Sequence, residues 1–186
     1  MSFMAAEVLY TISPSEDSTV AIEVFKTGLW RRKKHILFFE KFNGTLRYCA
    51  DHPESSSVDL IVDARSAVCR DAWLKPRKQQ EVTRYVREEA LGATLHPDIR
   101  FSSTHIEPKE LRGFVVEGDL AVRGTGRKVR VNLVLNPRKH ERLQVDGDAN
   151  VRLTEFGIKP PNRMFGLIGT KDEALIRMLL WASPAI

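Results

Sequence analysis

Apolar and polar residues alternate along most of this chain with a period of two, the mark of strands with one buried and one wet face. Val20, Ile22 and Val24 begin the pattern, and Val58, Leu60, Val62 and Ala64 continue it. Ile99, Phe101 and Ser103 form a third run, and Phe114, Val116, Gly118, Leu120 and Val122 a fourth. Val129, Val131, Leu133 and Leu135 follow, then Leu143, Val145, Gly147, Ala149, Val151 and Leu153. Turn residues separate neighbouring runs: Gly124-Thr125-Gly126 and Asn136-Pro137-Arg138. Consecutive hairpins of this kind make a meander, and about eight long strands tend to close into a barrel because closure removes exposed edges. The pattern predicts an all-β fold.

One segment departs from it. Between Pro76 and Leu91 the apolar residues Val82, Tyr85, Val86, Ala90 and Leu91 are spaced for a helix with one apolar stripe. Pro76 suits its first turn and Gly92 its C-terminal cap. Such a helix needs a surface to bury the stripe, and the mouth or flank of the barrel is the candidate. No repeat, low-complexity stretch or internal boundary divides the chain, so residues 1–186 read as one domain with a helical insertion at about 76–91.

Composition adds little to this. With 42% hydrophobic and 28% charged residues the chain is globular, and its net charge of +5 permits contact with polyanions without demanding it. Met1 to Tyr10 holds neither a basic n-region nor an apolar h-region, and no apolar run approaches the roughly 20 residues of a membrane helix. A cytoplasmic location is expected.

Candidate chemistry is sparse. The two cysteines, Cys49 and Cys69, are too far apart for a zinc motif and read as small apolar residues. His35, His52, His96, His105 and His140 show no metal-ligand spacing and read as loop or surface residues. His105 is the exception, since it follows Ser103 onto the inward face and would need a partner there. Ser102 and Ser103 lie in a strand pattern with no nucleophile elbow. Gly124-Thr125-Gly126-Arg127-Lys128 leads into a strand, so it lacks the helix N-terminus of a phosphate loop. Asp146, Asp148 and Asn150 echo a calcium loop, but Val151 stands where that loop needs glycine. The basic clusters, Arg31-Arg32-Lys33-Lys34 among them, carry little aromatic interleaving and suit anionic headgroups better than bases. No catalytic residue, metal or cofactor is expected.

Several short stretches, in order, resemble the YceI-like family of lipocalin-like polyisoprenoid-binding proteins. They are Phe42-Asn43-Gly44; Ser57 to Asp63 followed by Ser66; Arg70-Asp71 with Leu74; His96-Pro97-Asp98-Ile99-Arg100-Phe101-Ser102-Ser103; Val116 to Leu120 with Gly124; and Phe156-Gly157-Ile158. The family's His-Ser pair near the second strand is replaced by Asp17-Ser18. The resemblance implies an extended eight-stranded antiparallel lipocalin-like barrel that binds a long isoprenoid or similar amphiphile without catalysis, for carriage, storage or sequestration. On that reading Ile22, Val24, Phe42, Leu60, Val62, Phe101, Phe114, Val116, Leu120, Val131, Leu133 and Phe156 line the lumen. Tyr85 and Val86 cover its mouth or simply pack the helix. The small inward residues Ala64, Gly118, Gly147 and Ala149 would leave room for a ligand, or else mark tight strand packing. The expected partner is an isoprenoid or other long-chain lipid, with transient membrane contact and a homodimer both compatible and no nucleic acid. Two alternatives stay open: a small-molecule enzyme inside the barrel, for which only Ser103 and His105 come close, and an interaction protein whose barrel is filled.

Overall fold

The computed structural model describes residues 7–163 and 168–185; residues 1–6, on which the reading of the N-terminus partly rests, lie outside the described residues. The strands are β1 (Glu7–Ile12), β2 (Thr19–Gly28), β3 (Lys34–Phe39), β4 (Phe42–Cys49), β5 (Ser57–Asp63), β6 (Ala67–Cys69), β7 (Asp98–Pro108), β8 (Gly113–Val122), β9 (Thr125–Pro137), β10 (Leu143–Arg152), β11 (Asn162–Arg163) and β12 (Ile168–Pro184). Helix α1 (Pro76–Tyr85) stands between β6 and β7 and runs on as a π-turn over Val86–Ala90.

Pairing shows that three long strands are each broken once. β2 pairs with β3 while β1 pairs with β4, and β4 pairs with β5 while β3 pairs with β6. Joined across their breaks, β1–β2, β3–β4 and β5–β6 are the first three strands of an up-and-down meander continued by β7, β8, β9, β10 and β12. β12 closes it, bonding β10 on one side and β2 and β1 on the other. The result is a closed eight-stranded antiparallel barrel with a single helix. Ser66 ties two of the breaks together: its hydroxyl donates to the Asp63 carbonyl at 2.6 Å and accepts from the Lys41 N–H at 3.1 Å.

The helix sits where one seam opens. β7 continues alongside β5 but not β6, which leaves the β6 backbone without a strand on that side. Side chains of the helical segment take the place of that strand. Cys69 N–H donates to Thr83 Oγ1 at 2.9 Å, and Arg87 Nε donates to the Ala67 carbonyl at 2.6 Å. An edge covered in this way is closed to pairing with another chain. At the far end of the segment, Arg123 donates to the carbonyls of Glu89 and Ala90 and pins the last turn to the β8–β9 hairpin.

Two local expectations change. The turn after β9 is not Asn136-Pro137-Arg138: the strand runs through Pro137, opposite Leu143, and the chain reverses over Arg138–Arg142 with His140 and Glu141 at positive φ. The β8–β9 connection is the two-residue loop Arg123-Gly124, both at positive φ, whose twist matches that of the flanking strands. Among the described residues no helix is long and apolar enough to cross a membrane.

Candidate ligand cavity

A cavity of about 620 Å³ lies inside the barrel, at the end where β2 meets β3 and the helix lies over the strands. All eight strands of the barrel contribute to its wall, which is almost wholly aliphatic and aromatic. Of the residues expected in the lumen, Ile22, Val24, Leu60, Val62, Phe101, Leu120, Val131 and Phe156 line it. Tyr85 and Val86 line it from the helix, beside Val82, Ala90 and Leu91, so the apolar stripe faces the lumen rather than a solid flank. A second recess, of about 490 Å³, lies between β6 and the helix and is walled largely by polar side chains such as Gln79, Thr83 and Arg84.

Four expected lumen residues stand elsewhere. Val116 is 1% exposed and packs with Ile106, Val131 and Ala149, with Phe114 and Leu133 against them. This cluster fills the barrel on the side away from the helix, and its members Val131 and Ala149 meet the cavity as its floor. The Phe114 ring meets Tyr48 edge-on at 6.5 Å. Phe42 is buried opposite Val62, but Phe39, across the strand break, takes the place on the cavity wall.

The glycines explain why half the barrel is solid. A Cβ on Gly118 would stand 2.6 Å from the Phe101 ring, and one on Gly147 would stand 2.6 Å from Leu133 Cδ2. The room these residues leave is occupied by their neighbours, so they mark close packing and not cavity. Ala149 does border the cavity; Ala64 is buried without lining it.

The expected inward pair for an enzyme also comes apart. A bulge between Ser103 and His105 shifts the β7 register by one residue. His105 therefore points to solvent, and Ile106 takes the inward place. Ser103 Oγ accepts the Val58 N–H at 2.9 Å, a structural bond to the neighbouring segment.

Polar groups instead gather on one rim, where Lys26, His35, Lys78 and Glu81 join the lining with Trp30 and Trp73. His35 continues the alternation of β3 with Leu37 and Phe39, a signal present in the sequence, but nothing local to it shows its partner 36 residues away. That partner is Asp71, whose Oδ2 lies 2.7 Å from His35 Nδ1 and accepts from the Cys69 thiol at 3.2 Å. Asp71 Oδ1 accepts the Ile36 N–H at 3.0 Å. Burial works against ionisation of Asp71, but the bonds from His35, Ile36 and Cys69 outweigh it and hold the carboxyl below its ordinary value. An ionised Asp71 can only accept, so His35 Nδ1 carries the proton of this bond.

The indole of Trp73 stacks on the His35 ring at 5.2 Å and donates to the Lys34 carbonyl at 3.1 Å; Trp30 lies 5.6 Å beyond it. The ligating atoms of His35, Cys69 and Asp71 lie within 4.8 Å of one another, a donor set that could hold a metal, but they are bonded to each other through the shared Oδ2. Burial, reinforced by the adjacent Asp71 side chain, pushes the Cys69 thiol up to about 11, so it is not an activated nucleophile.

The profile of the YceI-like domain matches residues 10–178, nearly the whole barrel. The chain belongs to the YceI-like family. Among solved structures, BcnA of Burkholderia cenocepacia is similar with a TM-score of 0.75 at 18% identity, covering 89% of this chain and 96% of that one. The YceI protein of Campylobacter jejuni is similar with a TM-score of 0.58 at 11% identity, covering 81% of this chain and 84% of that one. At such identities the likeness is one of fold. No curated protein sequence matches the chain. The YceI-like barrel is known for binding hydrophobic ligands, and the family is generally non-enzymatic.

Proposed function

We propose that this protein binds a long apolar or amphiphilic chain, of the polyisoprenoid kind, inside the barrel, and carries, stores or sequesters it without chemical change. The observation that carries the reading is the cavity of about 620 Å³ walled by aliphatic and aromatic side chains. That volume falls in the range of roughly 300–1,000 Å³ common for small-molecule sites. Each methylene moved from water into such a space contributes about 0.8 kcal/mol, so a chain can be held with few polar contacts. The single polar rim supports an amphiphile seated with its head near His35 and its tail toward Ala149. The inert thiol of Cys69 and the structural bond of Ser103 support binding over catalysis.

Organic extraction of the native protein followed by mass spectrometry tests the reading. A co-purified lipid, or saturable uptake of an added isoprenoid, is expected. Extracts without lipid, together with no uptake of long isoprenoid alcohols or fatty acids, would sink it.

A further inference from the structure

The β2–β3 hairpin, at the same end as the cavity, holds large apolar side chains out in water. Its tip reads Gly28-Leu29-Trp30-Arg31-Arg32-Lys33. Leu29 is 76% exposed and Trp30 41%. The tip is a built turn: Gly28 adopts φ +63, Trp30 N–H donates to the Thr27 carbonyl at 3.3 Å, and Lys33 N–H donates to the Trp30 carbonyl at 2.7 Å. Beneath it, the Trp30, Trp73 and His35 rings lie in series down to the buried Asp71. Trp30 thus belongs both to the cavity lining and to the exposed tip.

Four consecutive cations follow the apolar pair, Arg31 to Lys34, and no acidic residue occurs between Lys26 and Glu40. Lys34 is engaged with Glu23 at 2.7 Å and Lys33 lies over the Trp73 ring, whereas Arg31 and Arg32 make no ion pair among the described residues. Indole rings favour the headgroup region of a bilayer, and adjacent Lys and Arg are drawn to anionic lipid. We propose that this hairpin docks the barrel, mouth first, on an anionic bilayer, with Leu29 and Trp30 among the headgroups and Arg31 and Arg32 on lipid phosphates.

Further cations stand at this end, beside acidic groups of the helical segment such as Glu81, Glu88 and Glu89. The up-and-down topology puts the β8–β9 turn, with Arg123 and Arg127, at the same end as the β2–β3 hairpin. A nucleic acid would engage the cations but leave Leu29 in water; a bilayer uses both halves of the tip. Docking does not depend on what fills the cavity. The carrier reading adds only that a docked barrel meets the bilayer with its mouth, so lipid uptake and vesicle binding fail or succeed separately.

Co-sedimentation with vesicles of phosphatidylglycerol and phosphatidylcholine, against phosphatidylcholine alone, tests the proposal. Binding is expected on the anionic vesicles at low salt, and its loss at high salt or on the neutral ones. R31Q/R32Q should weaken the partition by about fivefold for each cation removed. L29S/W30S should weaken it by about tenfold or more while circular dichroism shows both variants folded. An environment-sensitive dye on L29C should shift to the blue on vesicles. The same dye on L111C should not, since Leu111 is 93% exposed on the β7–β8 connection at the opposite end. No binding of the native protein to anionic vesicles at low salt, equal binding by both hairpin variants, or a blue shift at Leu111 instead of Leu29 would overturn the proposal.

Discussion

Asp71 carries more of this structure than its place in a short motif suggests. One carboxylate joins β3 to β6 through Ile36 N–H, His35 and Cys69, and the Asp71 backbone carbonyl accepts from Gln79 on the helix at 2.9 Å. Asp71→Asn removes the charge-assisted part of these bonds and should cost about 1–3 kcal/mol in chemical denaturation. The pH dependence follows from the lowered carboxyl value. A depressed native value contributes stability that is complete above the unfolded value, about 3.9, and is lost as pH falls through the native one. The stability gap between native protein and D71N should therefore be full at neutral pH and shrink in acid below about pH 4. A gap that stays constant to the acid limit would remove the ionised Asp71 from the account. Cys69, its thiol pushed up to about 11 and 3% exposed, should resist alkylation at pH 8 until the protein unfolds. Rapid labelling of folded protein at Cys69, read by peptide mass spectrometry, would contradict this.

Between elements, the contacts are set by small residues and by substitutes for strand bonds. Gly118 on β8 is in contact with the ring of Phe101 on β7, and its Cβ would also meet the Ser102 carbonyl at 2.5 Å. Gly118→Ala should destabilise the barrel by about 1–3 kcal/mol, because neither the strand backbone nor a ring wedged in the core yields freely. A variant with unchanged denaturation midpoint would show that β7 and β8 separate more easily than the contact implies. The helical segment binds β6 as a strand would, through Thr83 and Arg87. Its apolar stripe predicts a helix, but its role as cover for a strand edge depends on where β7 leaves β6.

The whole molecule divides into a solid half and a hollow half. Phe114, Val116, Ile106 and Leu133 fill one, and the cavity occupies the other beneath the helix. Ala149, 3% exposed, lies at the boundary between them. Ala149→Phe should fill the floor of the cavity and lower uptake of a long-chain ligand by tenfold or more, at a packing cost of about 1–3 kcal/mol. Val116→Ala, in the solid half, should cost about 2 kcal/mol and leave uptake unchanged. Equal uptake by A149F and native protein, each folded, would move the ligand out of this cavity.

The alternation of apolar and polar residues by itself determined the strands β2, β5 and β7 to β10, the helical stripe after Pro76 and the antiparallel meander. Period two places a face on each strand, and hairpin turns force neighbours together. Family membership was legible too, because its short motifs keep their order along the chain. Which half of the barrel is hollow was decided only in three dimensions. A glycine reads the same whether a ligand or a Phe101 ring fills the space above it. The bulge at Thr104 turns His105 outward, since one inserted residue reverses every following side chain. The His35–Asp71 pair and the Trp30–Trp73 contact join residues far apart in the chain. Barrel closure gives them their distances, and with them the polar rim of a lumen that is otherwise apolar.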